Sequence, residues 1–296
     1  MTRTVVSGGT GYVGRFIVEG LLAAGHAVTV LGRTQPPADF FSMPVGFQPY
    51  VLGGGLASDL FQGADFFVHA AFDHVLGKYR GGEGEDPASF RHRNLDGSVA
   101  LFEAGKRAGI HRVIFLSSRA VYGPRPAGTW LDEVDKPIPD TLYGEVKLAA
   151  ESALQELRTD RFETTSLRVT GVYGPAAKGR EHKWASLFAD YLDGKSIAPR
   201  AGTEVHGGDV AEAVRLVLEH PAIPPALLNV SDILLDRHDL LRLVRELTDS
   251  PHALPPRAES AVVNAMRTDR LRALGWVPGG SQRLAVTVAE LLHTKI

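Results

Sequence analysis

The chain has 296 residues, enough for one large domain or for one such domain with a smaller appendage. Lys and Arg number 32 against 34 Asp and Glu, and this near-neutral balance argues against nucleic acid and against an anionic membrane as the main partner. There is no cysteine, which excludes disulfides, thiolate metal ligands and cysteine nucleophiles.

The first half of the sequence alternates short apolar runs with segments of helical periodicity. Strands are predicted at residues 4–7, 27–31, 66–71, 112–117 and 164–169, with a weaker one at 45–52. Helices are predicted at residues 12–24, 89–108 and 143–157, and the first two are followed by Gly25 and Gly109. This alternation predicts βαβ units and an α/β fold with a Rossmann-like doubly wound parallel sheet.

The regularity fades after Tyr173. Residues 174–208 are predicted to be rich in loops with one helix at 184–192, and further helices are predicted at 209–219, 237–247 and 283–292. We expect one large domain formed by residues 1–172, with 205–232 returning to it, and a smaller region formed by residues 173–204 and 233–296.

A glycine-rich segment, residues 73–87, follows the third clear strand. Doubly wound sheets bind ligands at the carboxyl ends of their strands, so this segment is placed to cover a ligand. A mobile substrate lid and an uninvolved surface loop are both compatible with its composition.

Three glycines lie between the first predicted strand and the first predicted helix. Gly8, Gly11 and Gly14 have the spacing Gly-x-x-Gly-x-x-Gly. In such a turn the first glycine allows a tight bend, the second lets a phosphate approach the backbone, and the third lets helix and strand pack closely. The helix N-terminus adds unpaired N–H groups and a partial positive charge. The pattern predicts a dinucleotide pyrophosphate site, with a purely structural turn as the alternative.

The end of the second predicted strand bears on the choice of dinucleotide. A carboxylate at this place would bind the adenosine ribose hydroxyls of NAD, whereas this sequence has Gly32 and then Arg33. An arginine suits the 2′-phosphate of NADP, and Arg15 would add a second positive charge. We therefore expect NADP to be favoured over NAD. The alternative is that Arg33 is a solvated loop residue.

A candidate catalytic set follows the fourth strand. Tyr143 and Lys147 are spaced i, i+4 and share one face of a predicted helix, and Ser118 ends an apolar strand 25 residues before the tyrosine. A phenol is a poor base at neutral pH, and a nearby ammonium would lower its pKa. Tyr143 would then exchange a proton with a substrate oxygen while hydride moves to or from nicotinamide, and the serine hydroxyl would orient that oxygen.

These features together resemble a known enzyme family. The turn at residues 8–14, the Ser118…Tyr143-x-x-x-Lys147 set and the segment at 120–123 resemble the extended short-chain dehydrogenase/reductases, also called the NAD-dependent epimerase/dehydratase family. Segments at 69–71, 94–97, 168–175 and 269–276 extend the likeness over nearly the whole chain.

The resemblance implies roles for individual residues. Ser118, Tyr143 and Lys147 would carry catalysis, Lys147 would also hold the nicotinamide ribose, and Asn94 would support the site from behind as a structural or catalytic asparagine. No metal site is expected. The cofactor contacts implied are Gly8, Gly11, Tyr12, Val13, Gly14, Arg33, Ala70, Ala71, Ser117, Tyr143, Lys147, Val169 and Thr170.

The sequence departs from the family pattern at four places. The family has acidic residues after the strands that correspond to 27–31 and 45–52. Here they are replaced by Gly32-Arg33 and by the glycines at 53–55. The Asp-Glu pair of the dehydratases is Arg119-Ala120 here, which argues against dehydration.

The fourth departure concerns the substrate. The asparagine and arginine with which sugar-nucleotide epimerases bind the substrate diphosphate are Gly171 and Gly202. Candidates to replace these contacts are Lys178, Arg180, Lys183 and Arg200, with solvated surface charge as the alternative.

Three functions remain open at this point. The first is an NAD(P)-dependent oxidoreductase that acts on a hydroxyl or carbonyl of a small molecule, such as a sugar derivative. The second is a nucleotide-sugar epimerase that retains NAD. The third is a non-catalytic NAD(P)-sensing protein, which would not need the serine, tyrosine and lysine set.

The sequence also bears on location and assembly. No apolar run reaches the ~18 residues that span a bilayer, and glycines interrupt the N-terminal apolar stretch too early for a signal peptide. We therefore expect a cytoplasmic protein without a membrane partner. The resemblance implies a homodimer that associates through the helices at 89–108 and 143–157.

Overall fold

The computed structural model describes residues 1–74 and 82–293. The strands in these residues are β1 (Arg3–Ser7), β2 (Ala27–Gly32), β3 (Gly46–Pro49), β4 (Phe66–His69), β5 (Arg112–Ser118), β6 (Glu163–Val169), β7 (Gly171–Tyr173), β8 (Ala201–His206), β9 (Leu227–Val230) and β10 (Ile233–Asp236). The helices are α1 (Tyr12–Ala23), α2 (Pro87–Arg91), α3 (Gly97–Arg107), α4 (Leu142–Glu156), α5 (Ala185–Leu192), α6 (Gly207–Glu219), α7 (Arg237–Thr248), α8 (Asp269–Ala273) and α9 (Gly280–His293). A π-helical turn, His92–Asp96, joins α2 to α3.

The large sheet has the strand order β3-β2-β1-β4-β5-β6-β9, and every neighbouring pair is parallel. The order reverses between β1 and β4, so a crevice opens at the carboxyl ends of these two strands. The predicted Rossmann-like doubly wound fold is confirmed. A second sheet with the order β10-β8-β7 lies beyond the carboxyl end of β6.

Alternating side chains of the large sheet supply two separate cores. One face packs beneath α1 and α6 through Val6, Val30, Val68, Ile114 and Leu167. The other face packs beneath α3 and α4 through Val5, Leu31, Phe67, Val113 and Phe115. A third core, between α5, α7 and α9, includes Trp184, Tyr191, Leu241 and Val288. Both faces of the sheet are therefore covered, and only its ends are open to a ligand.

The predicted elements of the first half match the structure within about three residues, and so do the four predicted later helices. The prediction that residues 174–208 contain only one helix and loops is wrong, because β8 lies there. The sequence also failed to predict β7, β9, β10 and the short helix α8. These strands have three to six residues, and their pairing partners are distant in sequence. Periodicity within so short a run gives little signal.

The glycine-rich segment at 73–87 lies in part outside the described residues, which exclude 75–81. Its end is well defined, since the Asp86 side chain accepts a hydrogen bond from the Ser89 N–H and caps α2. In residues 1–74 and 82–293, no helix combines the length and the apolar character that crossing a bilayer requires.

Candidate active site

The three predicted catalytic residues come together at the carboxyl edge of the large sheet. Ser118 is the last residue of β5, and Tyr143 and Lys147 lie on the first turns of α4. The Thr141 hydroxyl caps this helix by accepting a hydrogen bond from the Gly144 N–H at 3.1 Å, which fixes where the helix begins. The Ser118 hydroxyl accepts a hydrogen bond from the Ala120 N–H at 3.2 Å and is close enough to the Tyr143 phenol to lower its pKa.

Lys147 is buried against the strands below the tyrosine. Its Nζ donates to the Leu116 carbonyl oxygen at 2.6 Å and lies 4.2 Å from the centroid of the Phe72 ring. Burial lowers the pKa of Lys147 to about 7, while the Glu151 carboxylate one turn along the helix acts in the opposite direction. A proton on this ammonium is therefore held only loosely at neutral pH.

The phenol of Tyr143 differs from the expectation. Burial raises its pKa above the ordinary value, and the Ser118 hydroxyl opposes this rise. We expected a nearby ammonium to lower the pKa, but the Lys147 Nζ lies 6.0 Å from the ring centroid and bonds to Leu116. The Phe72 ring packs edge-on against the tyrosine at 5.0 Å between centroids. In this arrangement Tyr143 is a neutral proton donor.

The glycine turn is tight enough to exclude side chains. A Cβ at Gly8, where φ is +72°, would lie 2.6 Å from the Ala71 backbone, and a Cβ at Gly14 would collide with the Gly8 carbonyl. At Gly11 a Cβ would lie 3.1 Å from the same carbonyl. No side chain caps the N-terminus of α1 at this turn. The turn therefore has the shape and the free helix end that fit a pyrophosphate.

Residues 174–183 contact the glycine turn and bind two of the predicted residues, Tyr12 and Arg15. The Tyr12 phenol donates to the Gly174 carbonyl oxygen at 2.7 Å. The Arg15 guanidinium donates to the Pro175 carbonyl oxygen at 2.9 Å. Arg15 therefore faces this segment, which corrects the expectation that it adds a charge beside Arg33. Val13 packs against the core beneath α1.

Arg33 is exposed just after β2. The parallel register pairs Ser7 of β1 with Leu31 of β2, so Arg33 follows β2 at the same sheet edge as the glycine turn. An exposed guanidinium at this edge is free to contact the adenosine end of a dinucleotide lying on the turn.

The other predicted cofactor contacts lie at the same edge, with one restriction. The Ala70 N–H donates to the Ser7 carbonyl oxygen at 3.0 Å, which holds the chain after β4 beside the turn. The Ser117 hydroxyl donates to the buried Glu151 carboxylate, so this residue offers only its backbone to a ligand. Val169 ends β6, and the Thr170 hydroxyl donates to the Thr203 carbonyl oxygen at 2.8 Å, linking the two sheets.

Asn94 is buried in the π-helical turn and fixes the chain that follows β4. Its Nδ2 donates to the Asp73 carbonyl oxygen at 2.9 Å, and its Oδ1 accepts from the Asp73 N–H at 2.6 Å. These bonds act on the backbone just after Phe72, the residue that packs on Tyr143 and Lys147. The geometry suits a positioning residue.

Sequence reasoning did not assign Phe72, His74 or Glu151 to the site. Phe72 and His74 follow β4 directly, and His74 lies 6.0 Å from Tyr143 between ring centroids. Glu151 is one helical turn after Lys147 and forms a buried ion pair with Arg168 at 2.7 Å. Two features of the sequence could have identified these residues: a pair of aromatic residues just past a strand end, and a carboxylate at i+4 from the lysine.

Two of the four cationic candidates near the substrate end are engaged within the protein, whereas Lys178 and Arg200 are exposed. Lys183 forms an ion pair with Glu204, and the Arg180 guanidinium donates to the Thr10 carbonyl oxygen at 3.1 Å. Within the described part of the chain, no group of three or more His, Asp or Glu side chains is placed to hold a metal ion.

Comparison with known proteins places this geometry among related enzymes. The chain is 28% identical to the dTDP-6-deoxy-L-talose 4-dehydrogenase (NAD(P)(+)) of Kitasatospora kifunensis, over 96% of this chain and 93% of that enzyme. It is also 28% identical to the UDP-glucose 4-epimerase of Lacticaseibacillus casei, over 69% of this chain and 62% of that enzyme. The chain thus spans less than two thirds of the epimerase's length.

Solved structures share the fold. The UDP-glucose 4-epimerase of Thermus thermophilus in complex with NAD superposes with a TM-score of 0.78 and 26% identity, over 99% of this chain and 100% of that one. The UDP-N-acetylglucosamine 4-epimerase of Methanobrevibacter ruminantium gives a TM-score of 0.81 at 22% identity, over 100% of this chain and 99% of that one.

The family profile described as the NAD dependent epimerase/dehydratase family matches residues 4–231, most of the chain. The chain therefore belongs to the NAD-dependent epimerase/dehydratase family, and the resemblance of its motifs to the extended short-chain dehydrogenase/reductases, a class of NAD(P)-dependent enzymes, is confirmed.

Proposed function

We propose that this protein is an NAD(P)-dependent oxidoreductase that acts at a hydroxyl or carbonyl group of a small molecule. The observation that carries the proposal is the placement of Ser118, Tyr143 and Lys147 together at the sheet edge, with Ser118 acting on the phenol and Lys147 held beneath it by Leu116. The glycine turn that fits a pyrophosphate opens at the same edge. When bound, the dinucleotide supplies the hydride acceptor or donor.

The side chains divide the proton chemistry between them. Tyr143, neutral in this structure, gives its proton to a substrate carbonyl oxygen in reduction; in oxidation the phenol must first lose this proton, and the phenolate then takes one from the substrate hydroxyl. Ser118 donates a hydrogen bond to the same oxygen and stabilises its developing charge. Lys147, with a pKa near 7, stabilises the phenolate by charge when it is protonated. A dinucleotide would give it ribose hydroxyls to bind in place of Leu116.

The cofactor would be held by the glycine turn and the neighbouring strand ends. Gly8, Gly11 and Gly14 leave room for the pyrophosphate, and the backbone of Ala70 and Ala71 lies against that turn. We propose NADP in preference to NAD, since Arg33 is exposed where a carboxylate would otherwise bind the ribose.

The second candidate is a nucleotide-sugar epimerase with retained NAD. The names of the relatives favour it, because UDP-glucose 4-epimerases recur among them. Against it stand the replacements at Gly171 and Gly202. A non-catalytic sensor fits least well, because it would have no use for the serine, tyrosine and lysine placed together.

The remaining proposals concern organisation. We propose that residues 1–172 and 205–232 bind the dinucleotide and that 173–204 and 233–296 contribute the substrate side. The third core, between α5, α7 and α9, supports a separate smaller region. We also propose a cytoplasmic homodimer that associates through α2–α3 and α4, tested by the mass in solution and by charge reversal on α4.

One experiment separates the two enzyme candidates. The purified protein is denatured and the released nucleotides are identified. The folded protein is then assayed with NADP⁺ or NAD⁺ and small hydroxyl compounds for net reduction of the cofactor. The oxidoreductase proposal expects exchangeable cofactor and net reduction. Tightly retained NAD together with interconversion of UDP-sugars, without net reduction, would reject it in favour of the epimerase.

A further inference from the structure

An ion pair occupies the substrate end of the site. Glu204 on β8 and Lys183, just before α5, bind each other, and both remain partly exposed at 15% and 32% of their side chains. A Cβ at Gly171 would lie 2.6 Å from the Glu204 carboxylate and 2.7 Å from the Lys183 Nζ. The pair therefore fills the space that any side chain at position 171 would need.

The strand register connects this pair to the strand end that carries Ser118. Ser118 lies opposite Val169 in the pairing of β5 with β6. The chain continues through Thr170 to Gly171, which lies opposite Glu204 in the pairing of β7 with β8. Glu204 is therefore next to a residue only two positions beyond the partner of Ser118.

The pair also reaches toward the cofactor turn. Tyr12 of that turn has a pKa of about 12, raised first by burial and further by the Glu204 carboxylate, while a hydrogen bond with the Lys183 backbone lowers it. Lys183 and Glu204 are thus near Tyr12 of the glycine turn and also near the chain that follows β6. A substrate that extends from Ser118 and Tyr143 along this chain would meet them.

The chemistry of the pair determines what it accepts. A carboxylate accepts hydrogen bonds from hydroxyl groups and the ammonium donates to hydroxyl or carbonyl oxygens, so together they suit vicinal hydroxyls. A diphosphate would meet the Glu204 carboxylate at close range, and the Lys183 ammonium, already paired with that carboxylate, is not free to bind the phosphate. The net charge of the pair is zero, so it offers no attraction for a phosphate.

Resting on the oxidoreductase function proposed above, we propose that Lys183 and Glu204 determine substrate specificity by selecting an uncharged polyhydroxylated compound against nucleoside diphosphate sugars. The substrate class is then free sugars and related polyols or their carbonyl forms.

The test measures binding of a diphosphate probe and turnover separately. UDP is titrated calorimetrically into wild type and into Glu204→Gln, each with and without NADP⁺. The matched control is Glu212→Gln, which removes the same charge from the Arg215 pair on the outer side of α6. We expect no binding of UDP to wild type or control at millimolar concentration. In Glu204→Gln the freed Lys183 should tighten UDP binding by at least about tenfold.

Turnover by the wild-type enzyme provides a second test that does not depend on a variant. Wild type with NADP⁺ or NAD⁺ is assayed against a panel of neutral sugars and polyols and against UDP-glucose and dTDP-glucose. Turnover of a neutral compound and none of the nucleotide sugars supports the inference. Micromolar binding of UDP to wild type, turnover of a nucleotide sugar, or no gain in folded Glu204→Gln would overturn it. Failure to bind either dinucleotide would instead reject the proposed function. The UDP titrations without cofactor test the role of the ion pair separately, because they do not depend on dinucleotide binding.

Discussion

The glycine turn and the Lys183–Glu204 corner define the two ends of the candidate site in opposite ways. The turn lies within seven consecutive positions from Gly8 to Gly14, and its backbone leaves no room for a side chain at Gly8 or Gly14. The corner is made of the charged side chains of Lys183 and Glu204, which meet over Gly171. A change in the turn should therefore abolish binding, whereas a change in the corner should alter which molecule is accepted.

Two ion pairs show the same contrast in depth. The Arg168 and Glu151 side chains are 2% and 3% exposed behind the catalytic helix, where Glu151 also accepts the Ser117 hydroxyl. Removing one partner of such a pair lowers the stability of the fold strongly, because the remaining charge would be left unpaired in the protein interior. The Lys183–Glu204 pair keeps contact with solvent and can exchange partners with a ligand. The difference in burial therefore distinguishes the Arg168–Glu151 pair, which supports the fold, from the Lys183–Glu204 pair, which can contact a substrate.

The largest expected effect is at the chemical centre. Tyr143→Phe removes the proton donor and keeps the ring that packs on Phe72, so turnover should fall by about 10²- to 10⁴-fold with dinucleotide affinity unchanged. Initial rates and cofactor titration measure the two quantities. Tyr191→Phe is the matched control, because it removes a buried phenol whose bond goes to the His252 carbonyl in the third core. Near-normal turnover in Tyr143→Phe would remove this phenol from the mechanism.

The next effect tests the turn. Gly11→Val should weaken dinucleotide binding by at least about a hundredfold, because its side chain takes space where charge-assisted bonds to the pyrophosphate form. Circular dichroism and thermal unfolding verify that the protein is folded, and fluorescence titration gives the dissociation constant. Gly105→Ala is the control, since a Cβ there makes only ordinary contacts, the closest at 3.6 Å from Ile110. Unchanged affinity in folded Gly11→Val would show that phosphate binds elsewhere.

The same contrast explains what the sequence could predict. The turn, the long strands and the spacing of the tyrosine and lysine are local patterns. The sequence of residues 8–14 and 143–147 was therefore sufficient to predict the local structure of these segments. The corner depends on β7 and β8, which have three and six residues and pair across a gap of about thirty positions. Such pairing is decided by packing of distant segments. The Arg15 guanidinium likewise donates a hydrogen bond to the Pro175 carbonyl oxygen, a contact that no local sequence pattern predicts.

A third prediction sharpens the cofactor assignment. We expect NADP(H) to bind about ten- to a hundredfold more tightly than NAD(H), because a charge-assisted bond from Arg33 to a phosphate contributes about 1.5–3 kcal/mol. Arg33→Ala should abolish this preference. Arg15→Ala should leave the ratio of the two dissociation constants unchanged, since its guanidinium faces the Pro175 carbonyl. Equal constants in wild type would reject the preference and favour the epimerase with retained NAD.

The smallest effect concerns the support beneath the site. His69 ends β4 and is fully buried, with hydrogen bonds of 2.6 Å to Ser7 and 2.8 Å to Ser98. Burial, and then the charge of Lys147, lower the pKa of His69 from 6.5 to about 3. Between these two pH values the unfolded chain binds a proton that the folded protein does not. Stability from this residue is therefore present above pH 6.5 and is lost as the pH falls toward 3.

The size of this acid effect follows from the shift. Each pH unit below the unfolded pKa should cost about 1.4 kcal/mol of unfolding free energy. His69→Gln keeps polar atoms for the two serines and removes the titration, so its urea-unfolding free energy should fall less steeply between neutral and mildly acidic pH. His206 provides the comparison at the small sheet, because burial also lowers its pKa, to about 4. If wild type and His69→Gln lost stability in parallel while His206→Gln did not, the acid sensitivity would belong to the substrate side of the molecule rather than to the cofactor side.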